Sequence, residues 1–129
     1  MINLYINARR VGDVTVLDLK GRERFRGVTV MLHKSIRCLA EEGKTQILLD
    51  LALVKHIDSN GLGELIASHV TLDNRGGALK LMHITESVHE LMSMTKLLAV
   101  FDIYDNESKA LASFVGETLR LVEHQPFFV

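Results

Sequence analysis

Alternating apolar and polar residues near the start of the chain predict two strands. The segments Asn3 to Arg9 and Val14 to Lys20 are rich in apolar and β-branched residues. Between them, Val11-Gly12-Asp13 has the chemistry of a turn, so we expect a β-hairpin. Gly21 ends the second strand, and a charged loop follows.

A change to three- and four-residue spacing predicts the first helix, over Val28 to Glu42. Gly43 ends it. Cys38 lies in the middle of this helix, and we expect it to face the core as a small hydrophobic residue. The next run, Gln46 to Leu51, is almost entirely apolar and too short for a helix. It predicts a strand buried on both faces, as in a parallel sheet.

The alternation of helix and strand continues along the rest of the chain. On the second helix, the predicted apolar face contains Leu62, Leu65, Ile66, Val70 and Leu72. The order ββαβαβαβα predicts an α/β sandwich, with right-handed crossovers that pack helices on a mixed sheet. The remaining predicted helices and strands are Ser59 to Asn74, Ala78 to Ile84, Glu86 to Lys96, Val100 to Tyr104 and Glu107 to Glu123.

Composition indicates one globular domain. The chain has 129 residues, of which 47% are hydrophobic and 24% charged, as in a protein with a single core. Because 15 basic residues face 16 acidic ones, a nucleic-acid partner is not expected. No transmembrane segment or signal peptide is evident, and Cys38 is the single cysteine. These features predict a cytoplasmic protein.

No catalytic, metal or cofactor site is predicted. None of the six histidines is four residues from another, so a helical metal site is not expected. Ser59 lacks the preceding glycine of a nucleophile elbow. Gly61-Leu62-Gly63 is followed by Glu64, whereas a phosphate-binding loop needs a lysine. A receiver domain would need an acidic pair and a lysine that the strand ends do not supply.

The segment Ile57 to Gly63 joins a buried strand to a helix. Its local chemistry favours a turn in which Asp58 or Ser59 caps the helix and the glycines permit a tight bend. A second interpretation is that the Ser59 hydroxyl is exposed at the positive end of the helix dipole, where a phosphate is tolerated.

This segment resembles the Asp-Ser-Ser/Thr-Gly-Leu-Gly signature of STAS domains, and more narrowly that of bacterial anti-sigma-factor antagonists. Two further segments resemble the family in the right order: Arg75 to Leu81, and Met94 to Ile103. The resemblance covers roughly Asn3 to Val115. It implies a STAS domain over 1–115, followed by the end of the last helix and an apolar tail over 116–129.

The resemblance implies a non-enzymatic switch. In the family, a partner serine kinase that is also the anti-sigma factor phosphorylates the serine at the position of Ser59. The unphosphorylated antagonist binds the kinase and frees the sigma factor; the phosphorylated form lets go, and a phosphatase restores it. The implied partner-binding residues are Asp58, Ser59, Asn60, Gly61, Leu62, Gly63, Glu23 and Arg24.

The sequence departs from the family pattern at two places. Asn60 replaces the usual Ser or Thr after the acceptor serine, which leaves the acceptor in place and bears on kinase recognition. The loop from Gly21 to Arg26 is unusually basic. In it, Glu23 could take the role of an acidic residue that the family often has near the switch serine, while the arginines could face a phosphate or recognise a different partner.

Two other functions stay open. The domain could be a constitutive scaffold in a signalling or transport complex, with Ser59 only a helix cap. It could also be a small α/β ligand-binding protein or enzyme, although it lacks an acid–base or nucleophile constellation. The sequence also leaves open whether the protein forms a homodimer.

Overall fold

The computed structural model describes residues 4–21 and 26–114. At its centre is a five-stranded sheet in which the strands lie in sequence order. The first two strands are antiparallel and the others pair in parallel, which confirms the predicted hairpin and mixed sheet. The strands are β1 (Leu4–Val11), β2 (Val14–Gly21), β3 (Gln46–Asp50), β4 (Ala78–Met82) and β5 (Asp102–Tyr104).

Helices connect the parallel strands in the predicted order. They are α1 (Arg26–Glu41), α2 (Ser59–Asp73) and α3 (Glu86–Met94). A further helix, α4, follows β5 and is described over 107–114. The rest of the last predicted helix and the apolar tail lie outside the described residues.

Helices pack on both faces of the sheet. Because side chains along a strand point alternately to the two faces, β2, β3 and β4 each contribute buried residues to two separate cores. The larger core joins β2, β3 and β4 to α1, α2 and α3. The smaller core lies between the other face and α4, and its buried residues are Val14, Val16, Leu48, Met82, Ala110 and Phe114.

A buried lysine lies in the layer between β4 and α4. Lys80 is 1% exposed, and its Nζ donates a hydrogen bond of 2.9 Å to the Ser113 hydroxyl. Nζ is also 3.8 Å from Asp102 Oδ2 and 4.8 Å from the centroid of the Phe114 ring. These contacts replace part of the hydration that a buried ammonium group loses.

Two apolar residues do not lie where the helix pattern placed them. Cys38 is exposed, because it is two residues from both Ile36 and Ala40, the buried positions of α1, and therefore points to the opposite side. Val70 is 48% exposed. It is five residues beyond the buried Leu65, about 140° around the helix. Both predictions of core placement were wrong.

Candidate functional site

The loop between β3 and α2 runs along the edge of the sheet where the parallel strands end. It begins with Leu51, whose N–H donates to the Met82 carbonyl at 3.0 Å. Leu51 and Val54 are buried, and the Val54 N–H donates to the Leu51 carbonyl at 3.0 Å to close a turn. The loop then continues along the surface to the first residue of α2.

Asp58 caps α2. Its backbone is extended, and its Oδ1 accepts a hydrogen bond of 2.8 Å from the Gly61 N–H. Its carbonyl accepts the first helical bond, from Leu62 N–H, at 2.9 Å. Of the two predicted caps, the structure therefore selects Asp58. This leaves Ser59 as the first residue of the helix, with its side chain exposed.

The other motif residues divide into exposed and buried ones. Asn60 and Gly63 are exposed beside Ser59, while Gly61 is buried. Leu62 is only 5% exposed and belongs to the main core, so its side chain holds the start of the helix against the sheet. The exposed residues of the motif are thus Asp58, Ser59, Asn60 and Gly63.

Glu23 and Arg24, the two predicted partner-binding residues of the basic loop, lie outside the described residues. Their relation to Ser59 therefore stays a prediction.

The hydrogen bonding around Ser59 can be stated for the described part of the chain. Within 4–21 and 26–114, no side chain forms a hydrogen bond to the Ser59 hydroxyl. A serine nucleophile needs an adjacent base in such contact. Within the same segments, no three His, Cys, Asp or Glu side chains are grouped as a metal site.

The first turn of α3 holds the loop in place. Thr85 caps α3 by accepting a hydrogen bond from the Val88 N–H. Its hydroxyl donates to the Val54 carbonyl at 3.1 Å, and His56 Nδ1 lies 3.0 Å from Ser87 Oγ. Sequence reasoning missed these contacts, although the Thr85-Glu86 pair at a predicted helix start is a recognisable capping signal.

On the α4 side of the sheet, an ion-pair network joins β1, β2 and the start of α4. Arg9 Nε donates to Asp18 Oδ2 at 2.9 Å, and its guanidinium also forms hydrogen bonds with the Glu107 carboxylate. Partial burial of Asp18 opposes ionisation, but Arg9 outweighs it and lowers the pKa of Asp18. Hydrogen bonding to Arg9 lowers the pKa of Glu107 despite some burial. The network anchors α4 to the hairpin.

The described part of the chain contains no helix that is both long and apolar enough to cross a membrane. A mixed sheet between helical layers, with an exposed serine at a capped helix start, defines an α/β domain that presents a polar surface at one sheet edge.

The STAS domain family matches residues 5–110, and the chain belongs to this family. It is 26% identical to the anti-sigma F factor antagonist of Paenibacillus polymyxa over 110 residues, which are 85% of this chain and 94% of the relative.

Solved structures agree with this assignment. A candidate anti-sigma factor antagonist of Thermotoga maritima superposes with a TM-score of 0.75 at 25% identity, over 84% of this chain and 93% of the other. The anti-sigma factor antagonist SpoIIAA in its unphosphorylated form superposes with a TM-score of 0.73 at 18% identity, over 87% of this chain and 97% of the other. The Bacillus cell fate determinant SpoIIAA in its phosphorylated form superposes with a TM-score of 0.66 at 16% identity, over 84% of this chain and 98% of the other. The likeness to SpoIIAA is one of fold.

Proposed function

We propose that this chain is an anti-sigma-factor antagonist controlled by phosphorylation of Ser59. With a free Ser59 hydroxyl, it binds an anti-sigma factor that is also a serine kinase, and so releases a sigma factor. Phosphorylation ends the binding, and a cognate phosphatase restores it. The protein acts as a cytoplasmic binding protein rather than an enzyme, and it regulates transcription without contacting DNA.

The observation that carries this proposal is the exposure of Ser59 at a helix start that another residue caps. Because Asp58 makes the capping hydrogen bond, modification of Ser59 leaves the cap in place. A phosphate adds a charge of about −1.5 to −2 beside the first-turn N–H groups, where the helix dipole favours an anion. The expected result is an altered surface on an unaltered fold.

Gly63 supports close contact with a partner on this surface. It is exposed within α2, and among residues 4–21 and 26–114 a Cβ atom built there meets no heavy atom within 4 Å. The packing of the described residues therefore does not require glycine at this position, and alanine would favour the helix. A partner backbone that approaches the start of α2 would explain the missing side chain.

The proposal is tested with the purified chain and the serine-kinase-type anti-sigma factors encoded in its source genome. Each kinase is incubated with the chain and Mg-ATP, and intact mass is measured. We expect one kinase to add a single phosphoryl group to the wild type and to the control Ser93→Ala, which removes another exposed helical serine. Ser59→Ala should gain none. No mass gain with any kinase, or a gain that persists in Ser59→Ala, contradicts the proposal.

The affinity for the kinase distinguishes a phosphorylation switch from a constitutive scaffold. Titration calorimetry should show that the wild type and Ser93→Ala bind the kinase equally. Ser59→Asp should bind at least tenfold more weakly, a difference of about 1.4 kcal/mol. Equal binding by Ser59→Asp would favour a scaffold in which Ser59 is only a helix residue. The basic loop that contains Glu23 and Arg24 is expected to contact the same partner.

A further inference from the structure

One large apolar side chain projects from the loop that leads to Ser59. Leu53 is 57% exposed, although both ends of its turn, Leu51 and Val54, are buried. An exposed leucine by itself is ordinary on a protein surface. Leu53 differs from such a residue because it lies in a hydrogen-bonded turn on the loop that leads to the proposed phosphorylation site.

Hydrogen bonds hold this turn on both sides. The Val54 N–H donates to the Leu51 carbonyl at 3.0 Å, which closes the turn around Leu53. Asp50 Oδ1 accepts the Ala52 N–H at 3.0 Å, and the Thr85 hydroxyl donates to the Val54 carbonyl at 3.1 Å. A side chain on an ordered backbone loses less conformational entropy on binding than one on a flexible loop.

An interface of ordinary size that covers Ser59 is large enough to include Leu53. Leu53 and Ser59 are six positions apart in the chain, which limits their Cα distance to about 20 Å. A typical interface covers about 800 Å² on each partner, equivalent to a disc about 30 Å across. One protein surface of ordinary size is therefore large enough to contact both residues.

We propose that Leu53 is an apolar anchor for the kinase that phosphorylates Ser59, and that it inserts into an apolar pocket on that partner. This inference rests on the proposed function. In this proposal the two residues have different roles. Leu53 contributes affinity through a contact that excludes water, while the phosphorylation state of Ser59 determines whether the complex forms. Interfaces commonly draw most of their binding energy from a few such well-packed side chains.

The test compares Leu53→Ser with Val11→Ser. Val11 is also an exposed apolar residue, 38% accessible, but it lies at the hairpin turn, at the opposite end of β2 from the sheet edge that carries the loop. Affinity for the unphosphorylated chain is measured by calorimetry with the purified kinase that phosphorylates Ser59. Leu53→Ser should bind at least tenfold more weakly than wild type, Val11→Ser should bind within twofold, and Leu53→Met should retain most of the affinity.

Phosphorylation kinetics provide the second readout. Because Leu53 does not form part of the acceptor group, Leu53→Ser should raise KM at least tenfold and leave kcat within twofold. If the wild type is bound and phosphorylated but Leu53→Ser matches it in affinity and KM, the anchor is refuted and the phosphorylation switch stands. A loss of kcat with unchanged KM also refutes it. If no kinase of the panel binds or modifies the wild type, both proposals fall.

Discussion

Replacing the exposed Gly63 by alanine should raise the free energy of unfolding and lower the affinity for a partner. Gly63 lies within α2, where glycine costs about 0.5–1 kcal/mol relative to alanine because it loses more backbone entropy. A Cβ atom at this position meets nothing within 4 Å in the part of the chain that the structure describes, so Gly63→Ala introduces no clash there. The substitution should therefore raise the free energy of unfolding by about 0.5–1 kcal/mol and the Tm by about 2–5 °C.

The same methyl group should weaken binding of the anti-sigma factor. If a partner packs closely against the start of α2, the extra atom must be accommodated at a filled interface, which costs about 1–3 kcal/mol. The expected loss of affinity is about tenfold to a hundredfold, measured by calorimetry on the unphosphorylated protein. Urea and thermal unfolding of the free protein report stability in parallel.

A control variant separates helix propensity from interface contact. Ala112 is exposed on α4, so Ala112→Gly should lower stability by about 0.5–1 kcal/mol and leave binding unchanged. If Gly63→Ala raises the Tm without changing affinity, no partner approaches closely there. If it lowers the Tm, the reasoning from open space and helix propensity is itself wrong.

Three further predictions concern the helix cap and the ion-pair network. Asp58→Ala should cost about 1 kcal/mol of stability in urea unfolding because it removes the cap, and Asp58→Ser should restore most of it; equal stability of all three would contradict the capping role. Arg9→Met should cost about 1 kcal/mol, whereas Arg10→Met, at an exposed neighbour on β1, should cost less; similar losses would show that the network adds no stability. Because Arg9 lowers the folded-state pKa values of Asp18 and Glu107, their stabilisation is present above about pH 5 and is lost as the pH falls through the lowered values. The difference in unfolding free energy between wild type and Arg9→Met should therefore shrink from pH 7 to pH 2.5, and a constant difference would refute this linkage.

The order of strands and helices was predictable because its signals are local. Alternation over Val14 to Lys20 and helical spacing after Val28 arise from residues a few positions apart, and β2 and α1 cover these segments. The helix start at Ser59 was predictable for the same reason, since Asp58 and the following glycines carry capping and turn chemistry. Local signals could not decide between Asp58 and Ser59 as the cap, because both side chains can serve.

What only the tertiary structure decided involves residues far apart in the chain or the direction of a side chain. Arg9 meets Glu107 across 98 residues, and Lys80 is buried because α4 packs over β4. Cys38 is exposed because the neighbouring elements contact another side of α1. The sequence by itself determined the elements and placed Ser59 at the start of one. Docking of the elements decided which remaining side chains are covered and which, like Leu53 and Ser59, are exposed. Burial depends on long-range contacts as well as on the local apolar pattern.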